Sequence, residues 1–116
     1  MLDTMIPDYI KRCKFHHYTI DMIKKDIAEG ISIVTDDGFL VMNIFDNELH
    51  VVHTYAKPTA KTLFKDFLTI IDLTAKRFGC KVILFVTRRE KAFDKLLGPQ
   101  GYKPYATMFG RDVHYG

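Results

Sequence analysis

The sequence predicts one α+β domain over residues 1–116, with helices flanking a mixed, mainly antiparallel sheet. Three features carry that reading. Helix-period segments precede residue 30, three strand-like runs follow between 31 and 55, and a long amphipathic stretch then leads directly into a β-branched run. A chain of 116 residues buries close to two thirds of its unfolded surface, enough for a core without disulfides or metal.

Each element follows from local chemistry. Ile6, Tyr9, Ile10 and Cys13 share a helical face with Pro7 in the first turn. Thr19 is an N-cap for a helix to Glu29, with Ile20, Ile23 and Ile27 at helical spacing and Gly30 as the stop. Ile31–Thr35, Phe39–Phe45 and Leu49–Tyr55 read as strands of an antiparallel meander, joined by Asp36-Asp37-Gly38 and Asp46-Asn47-Glu48. Pro58 ends the last strand. From Thr59, Ala60, Leu63, Phe64, Phe67, Leu68, Ile71, Ala75 and Phe78 make one apolar helical stripe that Gly79 terminates. Lys81–Val86 then reads as a buried, parallel strand. Thr87-Arg88-Arg89-Glu90 is a capping box for a short helix to Leu97, and Tyr102–Tyr115 supplies one or two final strands.

Composition narrows the function. With 47% hydrophobic and 27% charged residues the chain is an ordinary globular one, and its apolar runs are too short to cross a bilayer. The N-terminus lacks the apolar segment of a signal peptide, so a cytoplasmic protein is expected. A net charge of +3 is too diffuse for a dedicated nucleic-acid binder. Cys13 and Cys80 read as free, buried thiols. His16, His17 and His114 lack the spacing of a metal site, and no metal is expected.

Three local anchors give the element order a further meaning: Tyr55-Ala56-Lys57-Pro58 closing a strand, Ala75–Ile83 joining helix to strand, and Gly101-Tyr102-Lys103 after the last helix. In that order the chain resembles the GNAT superfamily of acyl-CoA-dependent acyltransferases over residues 19–113. The resemblance implies acetyl-CoA as acyl donor and an amine as acceptor. It also implies that the strands Val51–Tyr55 and Val82–Val86 lie side by side and splay at their C-terminal ends.

The same resemblance assigns residues. Tyr55, Ala56, Lys57, Lys61, Thr62, Leu63 and Phe64 occupy the coenzyme-binding stretch at the end of the strand and the start of the long helix. Thr62 and Phe64 stand where the family places glycines, and Thr59 where it places Gln or Arg, so side chains restrict the approach of a pyrophosphate to backbone N–H groups. The plainer alternative is that Thr59 caps a helix and the lysines are solvated. The tyrosine that would protonate the departing thiolate falls at Leu96 or Leu97, leaving Tyr102 or Tyr105 as nearby donors. For the base, Glu48, His50 and His53 lie on the third strand. Simple alternation puts Leu49, Val51, His53 and Tyr55 on one face, where a neutral His53 is a candidate base or a bonded core residue. Arg88, Arg89 and Lys91 are either an anion site or a solvated helix start.

Two functions follow: an N-acetyltransferase, or a non-catalytic GNAT-fold module. Small proteins with this organisation and eroded signature loops resemble some encoded by tailed bacteriophages, including virion components. A regulator or inhibitor that binds another protein through the exposed edge of its sheet or its short C-terminal strands is a third reading.

Overall fold

The computed structural model describes residues 2–13, 18–86, 97–105 and 108–115. Its elements run α1 (Leu2–Cys13), α2 (Ile20–Glu29), β1 (Ile31–Thr35), β2 (Gly38–Phe45), β3 (Glu48–Ala56), α3 (Leu63–Arg77), β4 (Val82–Val86), a 3-10 turn at Gly98–Gln100, β5 (Lys103–Tyr105) and β6 (Met108–Asp112). The expected helix after β4, with Arg88, Arg89 and Lys91, lies outside the described residues, as do His16 and His17.

Among the described residues six strands form one sheet in the order β1-β2-β3-β4-β6-β5. The β3–β4 pair is parallel and the other neighbours are antiparallel. Two apolar clusters sit on opposite faces. Phe67, Ile71 and Ala75 of α3 cover Leu40, Met42, Leu49, Val51, Ile83 and Phe85, while Met5, Ile6 and Tyr9 of α1 and Ile23 of α2 cover Phe39, Val41 and Tyr55. Burying a side chain such as Phe67 or Ile71 contributes about 1.5–3 kcal/mol.

The α2 boundaries match the sequence reading. The Thr19 side chain accepts from the Met22 N–H, and the Gly30 N–H bonds Asp26. Helix α3 closes in a Schellman turn, with Cys80 N–H on the Ala75 carbonyl, Gly79 N–H on Lys76, and Gly79 at φ 68°.

Two helix starts differ from expectation. Pro7 lies inside α1, not in its first turn, so the helix lacks the N–H that would bond the Asp3 carbonyl. Helix α3 begins at Leu63 with Thr62 as N-cap, not Thr59, because residues 57–62 are used in turns, with Ala60 N–H on Lys57 and Leu63 N–H on Ala60.

Candidate functional site

The centre of interest is the far half of β3. Pairing with β4 runs from Glu48 opposite Val82 to Val51 opposite Phe85 and stops there. β3 nevertheless continues to Ala56, held on its other side by β2. The two strands therefore splay at their C-terminal ends. Among the described residues, no strand covers the Val52–Ala56 backbone on the β4 side, which leaves main-chain donors and acceptors open to an extended ligand.

A bulge marks the point of parting. Val51 is opposite Met42 and His53 opposite Val41, so Val52 has no partner. An extra residue bends a strand and raises its twist, which turns the far half of β3 away from β4. It also reverses the alternation. Leu49 and Val51 face α3, whereas His53 and Tyr55 face α1 and α2, and Val52 packs on that same side. The expected common face for Leu49, Val51, His53 and Tyr55 is thus corrected, and Thr54 moves to the α3 face opposite Leu40.

Thr54 is informative there. Its hydroxyl oxygen is buried without a hydrogen-bond partner. A buried hydroxyl left unpaired costs about 1–3 kcal/mol, so a partner supplied by a ligand in the splay is a natural explanation.

The α3 N-terminus stands at the same end of the sheet, since α3 follows β3 through residues 57–62. Thr62 makes no side-chain cap bond, and the first helical bond is Asp66 N–H to Thr62. Among the described residues the N–H groups of Lys61, Thr62, Phe64 and Lys65 have no bonded acceptor. Unpaired amides and the positive end of the helix dipole suit a phosphate. Lys61 and Thr62 are exposed. Leu63 and Phe64 pack against the α3-side core, so the Phe64 ring is directed inward and obstructs the amides less than its bulk implies. Lys57 N–H bonds the Asp37 carbonyl at 2.7 Å, fixing the start of the loop.

His53 belongs to a closed polar network. It is 1% exposed. Nε2 lies 2.7 Å from Asp26 and Nδ1 2.7 Å from the Tyr9 hydroxyl. With a neutral ring, Nε2–H donates to the carboxylate and Nδ1 accepts from Tyr9. Next to it Tyr55 donates to Asp8 at 2.6 Å, and Arg12 donates to the same oxygen at 2.8 Å. Burial, with the neighbouring Asp8 carboxylate, pushes the Tyr55 hydroxyl up to about 12. These bonds tie α1 and α2 to β3 just beyond the bulge. Asp8, Tyr9 and Asp26 carry no motif, and their convergence on β3 is a product of tertiary packing.

Burial lowers the His53 pKa below its ordinary 6.5, and the Asp26 carboxylate opposes this only in part. The native state therefore takes up the proton at lower pH than the unfolded chain does. As pH falls below about 6.5 the unfolded state binds it first, and stability declines with a slope of at most about 1.4 kcal/mol per pH unit. Urea unfolding from pH ~7.5 to ~5.5 is expected to display that decline, and His53→Gln to flatten it.

Of the other sequence candidates, Glu48 and His50 lie away from the splay, whereas Tyr102 packs on Phe85, the last β4 residue paired with β3. Glu48 and His50 bond each other at 3.2 Å at the opposite end of β3, with Glu48 about 16 Å along the strand from His53. Tyr102 is buried against Phe85, ring centres 5.3 Å apart, with Arg111 over its ring and burial raising its hydroxyl pKa. Arg111 in turn bonds Asp72 at 2.5 Å. Of the two expected donor positions, Leu97 is fully buried in the α3-side core and Leu96 lies outside the described residues. Among the described residues no cluster of His, Cys, Asp and Glu is arranged to hold a metal ion, and no helix is long and apolar enough to cross a membrane.

No family model matches the chain, and no curated protein matches its sequence. Solved structures do match. Ard1 from Thermoplasma volcanium superposes with a TM-score of 0.77 at 9% identity, over 98% of this chain and 92% of that one. An acetyltransferase of the GNAT family from Staphylococcus aureus gives 0.72 at 8% identity, over 97% and 90%. The PaiA N-acetyltransferase from Thermoplasma acidophilum, in complex with coenzyme A, gives 0.66 at 19%, over 93% and 79%. With its parted parallel strands, bulged third strand and long following helix, the chain has the fold of the GNAT acetyltransferases.

Proposed function

We infer that the protein is a GNAT-type N-acetyltransferase that binds acetyl-CoA in the splay between β3 and β4 and passes its acetyl group to an amine. The observation that carries this reading is the set of unpaired polar groups at one end of the sheet. The β4-side edge of the Val52–Ala56 backbone, the Thr54 hydroxyl and the N–H groups of Lys61, Thr62, Phe64 and Lys65 all lack partners among the described residues. They match an elongated ligand with amide groups along its length and a pyrophosphate at its end. Bound acetyl-CoA supplies the activated thioester.

In this reading the open backbone of β3 orients the acyl arm, Thr54 bonds it, and Lys61 with the α3 amides holds the phosphates. His53 is a positioning residue: both ring nitrogens are engaged and its side chain is closed to solvent, so it fixes α1 and α2 against β3 rather than touching the acceptor. Glu48, at the opposite end of β3 from the splay, has no role in transfer.

Thr54→Val separates binding from stability. Removing an unpaired buried hydroxyl is expected to stabilise the free protein by about 1 kcal/mol while weakening acetyl-CoA roughly tenfold. Chemical denaturation and calorimetric titration measure the two. A variant that loses stability with unchanged affinity contradicts the assignment, and a native protein that ignores millimolar acetyl-CoA supports a non-catalytic module.

A further inference from the structure

The β1 edge is built to be paired. β1 is the terminal strand of the sheet and, among the described residues, bonds only β2. Its residues, Ile31 to Thr35, include no charge and no proline, the usual means by which an edge strand is blocked. Ile31 and Val34 are each 36% exposed. Beside its N-terminal end lies a cavity of about 600 Å³, with Ile31, Ile44, Phe45 and Phe78 as its apolar walls and Asp26 and Glu29 at its rim. Among the described residues Phe45 and Phe78 are two of the most exposed apolar side chains, at 61% and 57%.

Charge decides what fits. Glu29 precedes β1 and Asp36 and Asp37 follow it, all exposed. Among the described residues none of the three joins an ion pair. Self-pairing of two copies, antiparallel about Ile33, would set Glu29 opposite Asp37 and Gly30 opposite Asp36 at both ends. Like charges facing across a pair of strands are destabilising, so a second copy is a poor occupant. A nucleic acid is repelled by the same carboxylates.

We propose that β1 receives an extended, basic peptide segment of another protein, added to the sheet as a further strand. Main-chain bonds to the β1 edge hold the segment, lysine or arginine at its two ends meets Glu29 and the Asp36–Asp37 pair, and an apolar side chain enters the groove by Phe45 and Phe78. This surface is separate from the splay, and the reading does not depend on acetyl transfer.

Fluorescence anisotropy tests it with a labelled peptide Lys-Phe-Thr-Val-Thr-Val-Thr-Gly-Lys and a counterpart carrying Glu in place of both Lys. The basic peptide is expected to bind at least tenfold more tightly than the acidic one, and to weaken as salt rises from about 50 to 500 mM. Glu29→Lys with Asp36→Lys, both at exposed positions, is expected to reverse the preference while leaving acetyl-CoA affinity and the circular dichroism spectrum unchanged. Equal binding of the two peptides, no binding of either at millimolar protein, or a preference that survives the charge swap would overturn the proposal. So would a native dimer in sedimentation that the charge swap tightens or dissociates, because β1 would then be occupied by a second copy.

Discussion

Deleting Val52 is expected to abolish acetyl-CoA binding, by more than a hundredfold, in a protein that still folds. The register explains why. Val52 is the unpaired residue of the bulge, with Val51 already opposite Met42 and His53 opposite Val41. Without it, His53 follows Val51 directly and simple alternation puts every side chain on the face it now occupies. Leu49 and Val51 stay under α3, His53 and Tyr55 stay under α1 and α2, and Thr54 stays opposite Leu40. The loss to stability is the packing of one half-buried valine, about 1–2 kcal/mol. What changes is curvature: an unbulged β3 continues alongside β4, and the strand edges that would serve a ligand bond each other instead. Calorimetric titration, with urea unfolding as the control, measures both. A deletion variant that binds as the native protein does would separate the bulge from the splay.

Replacing Gly38 by alanine is expected to cost about 3 kcal/mol or more, a large part of the stability of a chain this size. The cause is space, not backbone conformation. A Cβ at Gly38 would lie 2.1 Å from the Tyr55 carbonyl oxygen and 2.8 Å from Leu63 Cδ2. The first is backbone and cannot rotate away, so the end of β3 must shift. Tyr55 and Leu63 flank the loop that leads into α3, so the same shift disturbs the N–H groups assigned to phosphate. Thermal unfolding is expected to report a fall of about 10 °C or more, together with weaker acetyl-CoA binding in whatever fraction remains folded. An alanine variant as stable as the native protein would mean that β2 and β3 are less closely apposed at this point.

Most of the architecture is legible in the sequence because local signals agree with tertiary demands. The Thr19 cap, the Gly30 and Gly79 stops, the meander and the apolar stripe of α3 all lie where side-chain chemistry puts them. The resemblance of the anchors to the GNAT pattern added the parting of β3 and β4, which the register bears out. The α3 start was less legible. The apolar stripe extends back to Ala60, but the turns after Pro58 take up the backbone before a helix can begin.

The site was harder to read because its central feature has no local signature. Period-two alternation assumes an unbroken ladder, and a single unpaired valine reverses the face of everything beyond it. His53 therefore looks like a neighbour of Val51, when it lies under α1 and α2 and bonds Asp26 and Tyr9, residues 27 and 44 positions away. Likewise Thr54 is an unremarkable polar residue in the string, and becomes notable only as a buried hydroxyl without a partner. Lys61 and Thr62 were legible as a helix N-terminus, whereas the inward packing of Phe64 depends on the core that α3 completes.

The most direct test is amide NMR during titration with acetyl-CoA. Binding in the splay predicts that the largest shifts fall on Val52–Ala56 and Lys61–Lys65, with the β1 edge and the Glu48–His50 end of β3 unmoved. No shifts at millimolar acetyl-CoA, or shifts concentrated away from those two segments, would contradict it.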